Sequence, residues 1–330
     1  MELTWEEWKA MRKSLRRQLG QPCWALLIYY LIMNVAVFFW VFFQTLITSF
    51  RHALTGNFDA LVQGATEAVN SGWGYFLAVG LGLVLLLIWK KPCFWKDEIW
   101  AKGKPMACGS FFALLFIFVG CQLLSQIMLL VTEVTLNAFG YTIVEGIQML
   151  EMDPDDFSMF LYACILAPVA EEILFRGLVQ RSLMPYGKRF AILCSALTFG
   201  LFHGNLIQTP FAFVAGLVLG YVASEYSIGW AMLLHMFNNM VLGDTLNRLT
   251  SGLPEELAAL IFWCVMMISG IIALVVLIVK RHDIRQWRTQ EKINRTCLEC
   301  FFSSAGTIMF MVVLTAMMLW TTFTMITPIS

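Results

Sequence analysis

Pro168-Val-Ala-Glu-Glu-Ile-Leu-Phe-Arg176 sets two adjacent carboxylates and a guanidinium inside a stretch otherwise apolar enough to cross a bilayer. An ionisable side chain at the centre of a membrane helix costs about 2.5–3.5 kcal/mol on insertion scales. Three of them in one span therefore need partners, and the rest of the chain shows where those partners lie.

The composition fixes the class. Of 330 residues, 59% are hydrophobic and 13% charged, with mean hydropathy +0.73; soluble domains carry about 25% charged residues. Apolar runs fall at about 24–50, 72–89, 107–132, 157–181, 190–204, 210–224, 228–244, 257–279 and 301–326. The expectation is an all-α polytopic bundle of about nine transmembrane helices. Trp73 and Trp89 bracket the second run as interfacial anchors do. Gly216 and Gly220, and likewise Gly200 and Gly204, are spaced to let a neighbouring helix approach closely. The nine cysteines are scattered through apolar sequence and form no disulfide framework. Cys297 and Cys300 form a lone C-x-x-C pair, read as inert or lipidated rather than metal-binding.

Residues 1–20 read as an amphipathic interfacial helix. Lys9, Arg12, Lys13, Arg16 and Arg17 argue against a cleavable signal, Thr4 and Glu7 form a capping box, and Trp5, Trp8, Met11, Leu15 and Leu19 recur at helical spacing. The loops divide into two alternating sets. The N-terminus, 90–104, 181–189, 225–227 and 280–296 hold 19 Lys and Arg in all, whereas the other set holds only Arg51 and Arg248. By the positive-inside rule the N-terminus is cytoplasmic. The 133–156 loop, with six acids and no Lys or Arg, belongs outside. Short loops and the lack of targeting signals suggest a bacterial plasma membrane.

In the interiors of the spans, Asp, Glu, Lys, Arg and His occur only on the fourth, fifth and seventh: Glu171, Glu172 and Arg176, then His203, then His235. Such clustering points to one polar cavity built by three helices. Glu172 and Arg176, at i and i+4 with the acid first, form a self-neutralising pair. Glu171 points about 100° away and has no cation nearby in sequence, which makes it the candidate general base. Pro168 removes a backbone bond one turn earlier and opens space near the acids. His235 and Asn239 share a helix face and could both donate to an oxyanion. Phe199 and His203 share a face of the fifth span, the ring walling the cavity.

These residues resemble the CPBP intramembrane proteases, the family of the CAAX prenyl endopeptidases and the bacteriocin-immunity (abortive-infection) proteins. The three motifs appear in order as Glu171-Glu172-x-x-x-Arg176, Phe199-x-x-x-His203 and His235-x-x-x-Asn239, and the likeness covers about 168–240. The resemblance implies a membrane-embedded endopeptidase. Glu171 and His203 would activate water, His235 and Asn239 would hold the oxyanion, and Glu172 and Arg176 would support the site. The chain is accordingly read as the 1–20 interfacial helix, spans one to three with the acidic loop (21–156), a catalytic core like that family's (157–244) and the last two spans (245–330).

Metal-free glutamate chemistry is the preferred reading. A zinc site on Glu171, His203 and His235 is the alternative, since three ligands leave an open position. Partners are expected to be the bilayer and a lipidated or small hydrophobic peptide, with no nucleic acid. Two other classes stay open: a proton-coupled transporter using the same buried groups as a relay, and a non-catalytic scaffold or immunity protein of the same family.

Overall fold

A computed structural model describes residues 4–53, 64, 66, 68, 71–90, 94–95, 99–148 and 156–329, with the backbone alone at 51–53, 89, 148, 242–244 and 247. The Trp89 side chain and Cys93 lie outside the described residues. The chain is an all-α integral membrane protein. Its helices are α1 (Trp5–Ala53), α2 (Gly72–Trp89), α3 (Cys108–Gly120), α4 (Leu123–Asn137), α5 (Val144–Gln148) and α6 (Phe157–Tyr186). They continue as α7 (Lys188–Phe202), α8 (Thr209–Glu225), α9 (Ile228–Asn238), α10 (Glu255–Val279), α11 (Arg281–Gln290), α12 (Arg295–Phe302) and α13 (Ala305–Thr324). Each apolar run read from the sequence falls on helix, and 5 helices are long and apolar enough to cross a membrane by length and composition. Their outer faces expose large apolar side chains, among them Phe38 and Phe42 on α1, Leu274 on α10 and Leu319 on α13, as a lipid-facing surface requires.

Three local readings change. The capping box forms, with Thr4 N donating to Glu7 Oε2 at 2.8 Å and Glu7 N to Thr4 Oγ1 at 3.3 Å. The helix it starts, however, does not stop at residue 20: α1 runs unbroken into the first span with Pro22 inside it. One missing backbone donor is a smaller loss than the packing of Leu19, Cys23 and Leu26 into the core on either side. The third span breaks between Gly120 and Leu123, where Gly120 meets the backbone of Gly270 on α10. The last run is interrupted too, because α12 ends at Phe302 and α13 restarts behind an N-cap at Ser304.

Helices α6 to α9 form the centre. A core of α1, α2, α6, α7, α12 and α13 side chains closes one flank, and α3, α8, α9 and α10 side chains close the other. Gly216 and Gly220 let α8 lie against its neighbours. A Cβ at Gly216 would stand 3.0 Å from Ala196 Cα, and one at Gly220 would stand 2.8 Å from Gln180 Oε1.

The two loop sets gather at opposite ends. At the basic end Glu225 accepts from Lys188 at 2.8 Å, Lys104 at 3.0 Å and the Trp287 indole at 3.2 Å. Arg12, of the N-terminal segment, pairs with Glu299 on α12 at 3.0 Å. The Glu225 contact raises the Lys104 ammonium pKa above its ordinary value, as its hydrogen bond to the carboxylate dictates. At the acid-rich end β1 (Tyr141–Thr142) pairs antiparallel with β2 (Thr327–Pro328), and Thr327 Oγ1 donates to Glu145 at 3.1 Å. Asp156 caps α6 there, and the Ser158 hydroxyl holds its carboxyl below the usual range.

Gly216→Val forces Cβ into Ala196 and Phe199, so thermal unfolding in detergent should show a loss of about 1–3 kcal/mol. An unchanged melting temperature would contradict the close α7–α8 packing.

Candidate active site

The fourth span is not a uniform helix. Within α6, α-helical Phe157–Leu161 passes into a π-helical turn at Tyr162–Leu166, returns to α at Ala167–Glu172, and becomes π-helical again over Ile173–Gln180. Such inserts turn side chains out of register and recur at functional sites. The first has a traceable cause. Ala167 N donates to Tyr162 O rather than to Ala163 O, and Pro168 has no N–H to offer. The Ala163 carbonyl is thus left for another donor, and Asn239 Nδ2 fills it at 3.0 Å. Pro168 therefore acts on the site through Asn239. That residue opens a further π-helical stretch, Asn239–Thr245, beyond α9. Its carbonyl faces the Cys164 thiol at 3.7 Å.

Glu172 and Arg176 are fully buried, with Nε 3.2 Å from Oε2. The alignment falls short of a hydrogen bond, so Coulomb attraction holds the pair. Arg176 also donates Nη2 to Gly216 O at 3.3 Å and lies 4.3 Å from the centre of the Phe199 ring, a cation–π contact. The expected ion pair is present but does not close on itself. Glu172 Oε1 lies 3.0 Å from His235 Nδ1, a link that helical spacing alone could not reveal because it joins two helices.

Glu171, His203, His235 and Asn239 all line one cavity of about 400 Å³, while Glu172 and Arg176 lie behind its wall. Glu171 Oε2 stands 3.8 Å from His235 Nε2. The candidate base thus contacts His235, while His203, which the resemblance assigns with it to water activation, lines the same cavity. His203 follows the last residue of α7, and its Nδ1 contacts Phe199 O at 2.9 Å. A carbonyl only accepts, so Nδ1 carries the proton there and Nε2 is the free nitrogen. The Glu172 carboxylate likewise accepts from a protonated His235 Nδ1. The Phe199 ring packs edge-on against His203 at 4.7 Å and His235 at 5.8 Å, holding both imidazoles.

Uncharged polar residues complete the wall: Gln122, Ser125 and Gln126 after the break in the third span, with Gln208 and Asn238. Ser125 Oγ and Asn238 Oδ1 are buried without a hydrogen-bond partner. The sequence reading passed over them because it followed charge; the Asn238-Asn239 doublet and the polar Gln122–Gln126 cluster in an apolar span were the available signals. The zinc alternative fares differently. Among the described residues no three His, Cys, Asp or Glu side chains come together as a set able to hold a metal ion. Glu171, His203 and His235 all line the cavity but do not form such a set.

Comparison with known proteins bears on the same segment. No curated protein and no solved structure matches the chain. The family model for type II CAAX prenyl endopeptidase Rce1-like proteins matches residues 153–241, the stretch that supplies Glu171, His203, His235 and Asn239. Over these residues the chain is similar to the type II CAAX prenyl endopeptidases of the Rce1-like family.

Proposed function

We propose that this chain is an intramembrane endopeptidase that hydrolyses a peptide bond of a lipidated or small hydrophobic membrane-associated substrate. The observation that carries the reading is the carboxylate–imidazole contact of Glu171 and His235 at 3.8 Å, on the wall of a cavity that His203 and Asn239 also line. Its volume of about 400 Å³ lies within the usual range for ligand sites.

In this account Glu171 takes a proton from a cavity water as the water oxygen attacks the scissile carbonyl carbon. His203 Nε2, a lone-pair acceptor in the neutral ring, orients that water. The negative charge developing on the carbonyl oxygen is met by Asn239, whose Nδ2 has a second N–H beyond the one given to Ala163, and by His235 in its imidazolium form. Glu172 compensates that cation across Nδ1, and Arg176 compensates Glu172. Collapse of the tetrahedral intermediate breaks the C–N bond, and Glu171 returns its proton to the leaving amine. No step passes through a metal.

Purified Glu171→Gln should fold as the wild type and cleave a membrane peptide substrate about 10²–10⁴-fold more slowly; retained activity would sink the assignment. Chelation should leave the wild-type rate unchanged, and inhibition reversed by added zinc would show that a metal takes part. Pro168→Ala restores an N–H that competes for the carbonyls Asn239 needs. It should lower kcat by about tenfold, a fraction of the loss of a whole oxyanion donor, with KM and thermal stability preserved. An unchanged kcat would remove Pro168 from the positioning of Asn239.

A further inference from the structure

The cavity does not lie symmetrically between the two ends of the bundle. Towards the basic end the centre is solid: every residue of α6 from Leu174 to Gln180 is buried. Gln180 Nε2 seals that side of α8 by donating to Gly220 O at 2.9 Å and Ser224 Oγ at 2.8 Å. Ser195 Oγ adds a bond to Phe175 O at 2.7 Å. Below that packing lies the Glu225 cluster that binds Lys104, Lys188 and Trp287.

Towards the acid-rich end the cavity continues. Its wall runs from Phe118 past Ser125 to Leu129, and reaches Ile147 on α5 and the turn holding Ile207 and Gln208, of which Gln208 is exposed. A small roof stands beside this mouth. Ile143, Ile207 and Met325 are buried against one another, Glu133 accepts from Ile143 N at 3.0 Å and Thr142 Oγ1 at 2.8 Å, and Ile329 N donates to Gly140 O at 3.0 Å. Among the described residues the roof is built from the acid-rich loop set and residues 325–329, with Leu129 of α4 packed against it.

We propose that substrate reaches Glu171 and His235 from this acid-rich end, that the end faces away from the cytoplasm, and that the substrate is therefore a peptide segment presented on the non-cytoplasmic side of the membrane. The first part follows from the cavity and the packed half. The second follows from the loops: the basic set holds 19 Lys and Arg and the acid-rich set two, an asymmetry that orients membrane proteins with the basic side in the cytoplasm. Side-chain bonds join members of the basic set at one end, so the alternation does not depend on the charge count. A C-terminus held in the cytoplasm would meet the packed end of the molecule. The proposal rests on the peptidase reading, since it concerns the route of that enzyme's substrate.

Cysteine accessibility in sealed membrane vesicles tests it with the full chain. Gln208→Cys reports the mouth, Ser125→Cys the interior of the cavity, and Thr289→Cys, exposed on α11, the basic end. The readout is gain of labelling by a charged maleimide over the wild type, which has exposed thiols of its own at Cys108 and Cys264. In right-side-out vesicles Gln208→Cys and Ser125→Cys should label about tenfold faster than in inverted ones, because a charged reagent does not cross hydrocarbon; Thr289→Cys should show the reverse. Labelling of Ser125→Cys only in inverted vesicles, or from neither side, overturns the proposal. Labelling needs no hydrolysis and should be the same when Glu171→Gln is added, so its failure is distinct from a failure of the peptidase reading.

Discussion

A guanidinium with no exposure to water sits near the centre of this bundle, and the site is arranged around keeping it there. Arg176 has one carboxylate, one backbone carbonyl and one aromatic face as partners: Glu172, Gly216 and Phe199. Leaving either charge of a buried pair alone costs about 3–5 kcal/mol, so the pair fixes where α6, α7 and α8 can sit. Gly216 serves this arrangement twice. Its lack of a side chain allows the approach to Ala196, and its carbonyl accepts a hydrogen bond from Arg176.

Once Glu172 is pinned by Arg176, its other oxygen sets the orientation of His235, and His235 in turn presents Nε2 to Glu171. Adjacent acids thus have opposite tasks because a helix turns them apart. One is buried behind the wall beside Arg176 and His235; the other, a quarter exposed at its side chain, faces the cavity. The second device is backbone register. A π-helical turn followed by proline frees the Ala163 carbonyl, and that carbonyl holds Asn239. Charge compensation positions the imidazole, and a displaced backbone bond positions the amide.

Much of this was legible in the residues. The apolar runs gave the helices, the loop charges gave their alternation, and the confinement of Glu171, Glu172, Arg176, His203 and His235 to three spans predicted that these side chains meet. What was not legible is what a one-dimensional spacing rule cannot hold. Glu172 bonding His235 joins residues 63 apart. The contact of Glu171 with His235 depends on how α9 packs against α6. The continuity of α1 through Pro22 reflects tertiary packing that outweighs a local breaker. Ser125 and Asn238 were missed because an uncharged polar side chain in an apolar span gives a weak signal until the cavity beside it is seen.

The central claim is that the acid facing the cavity does chemistry on a membrane peptide. Comparing the membrane peptidomes of cells that carry the wild-type chain with those that carry Glu171→Gln at equal abundance measures this most directly. The account predicts that at least one membrane-associated peptide or protein accumulates uncut with Glu171→Gln, and that its cleavage products disappear. Identical peptidomes, with the wild type's cellular effect retained by the variant, would contradict it.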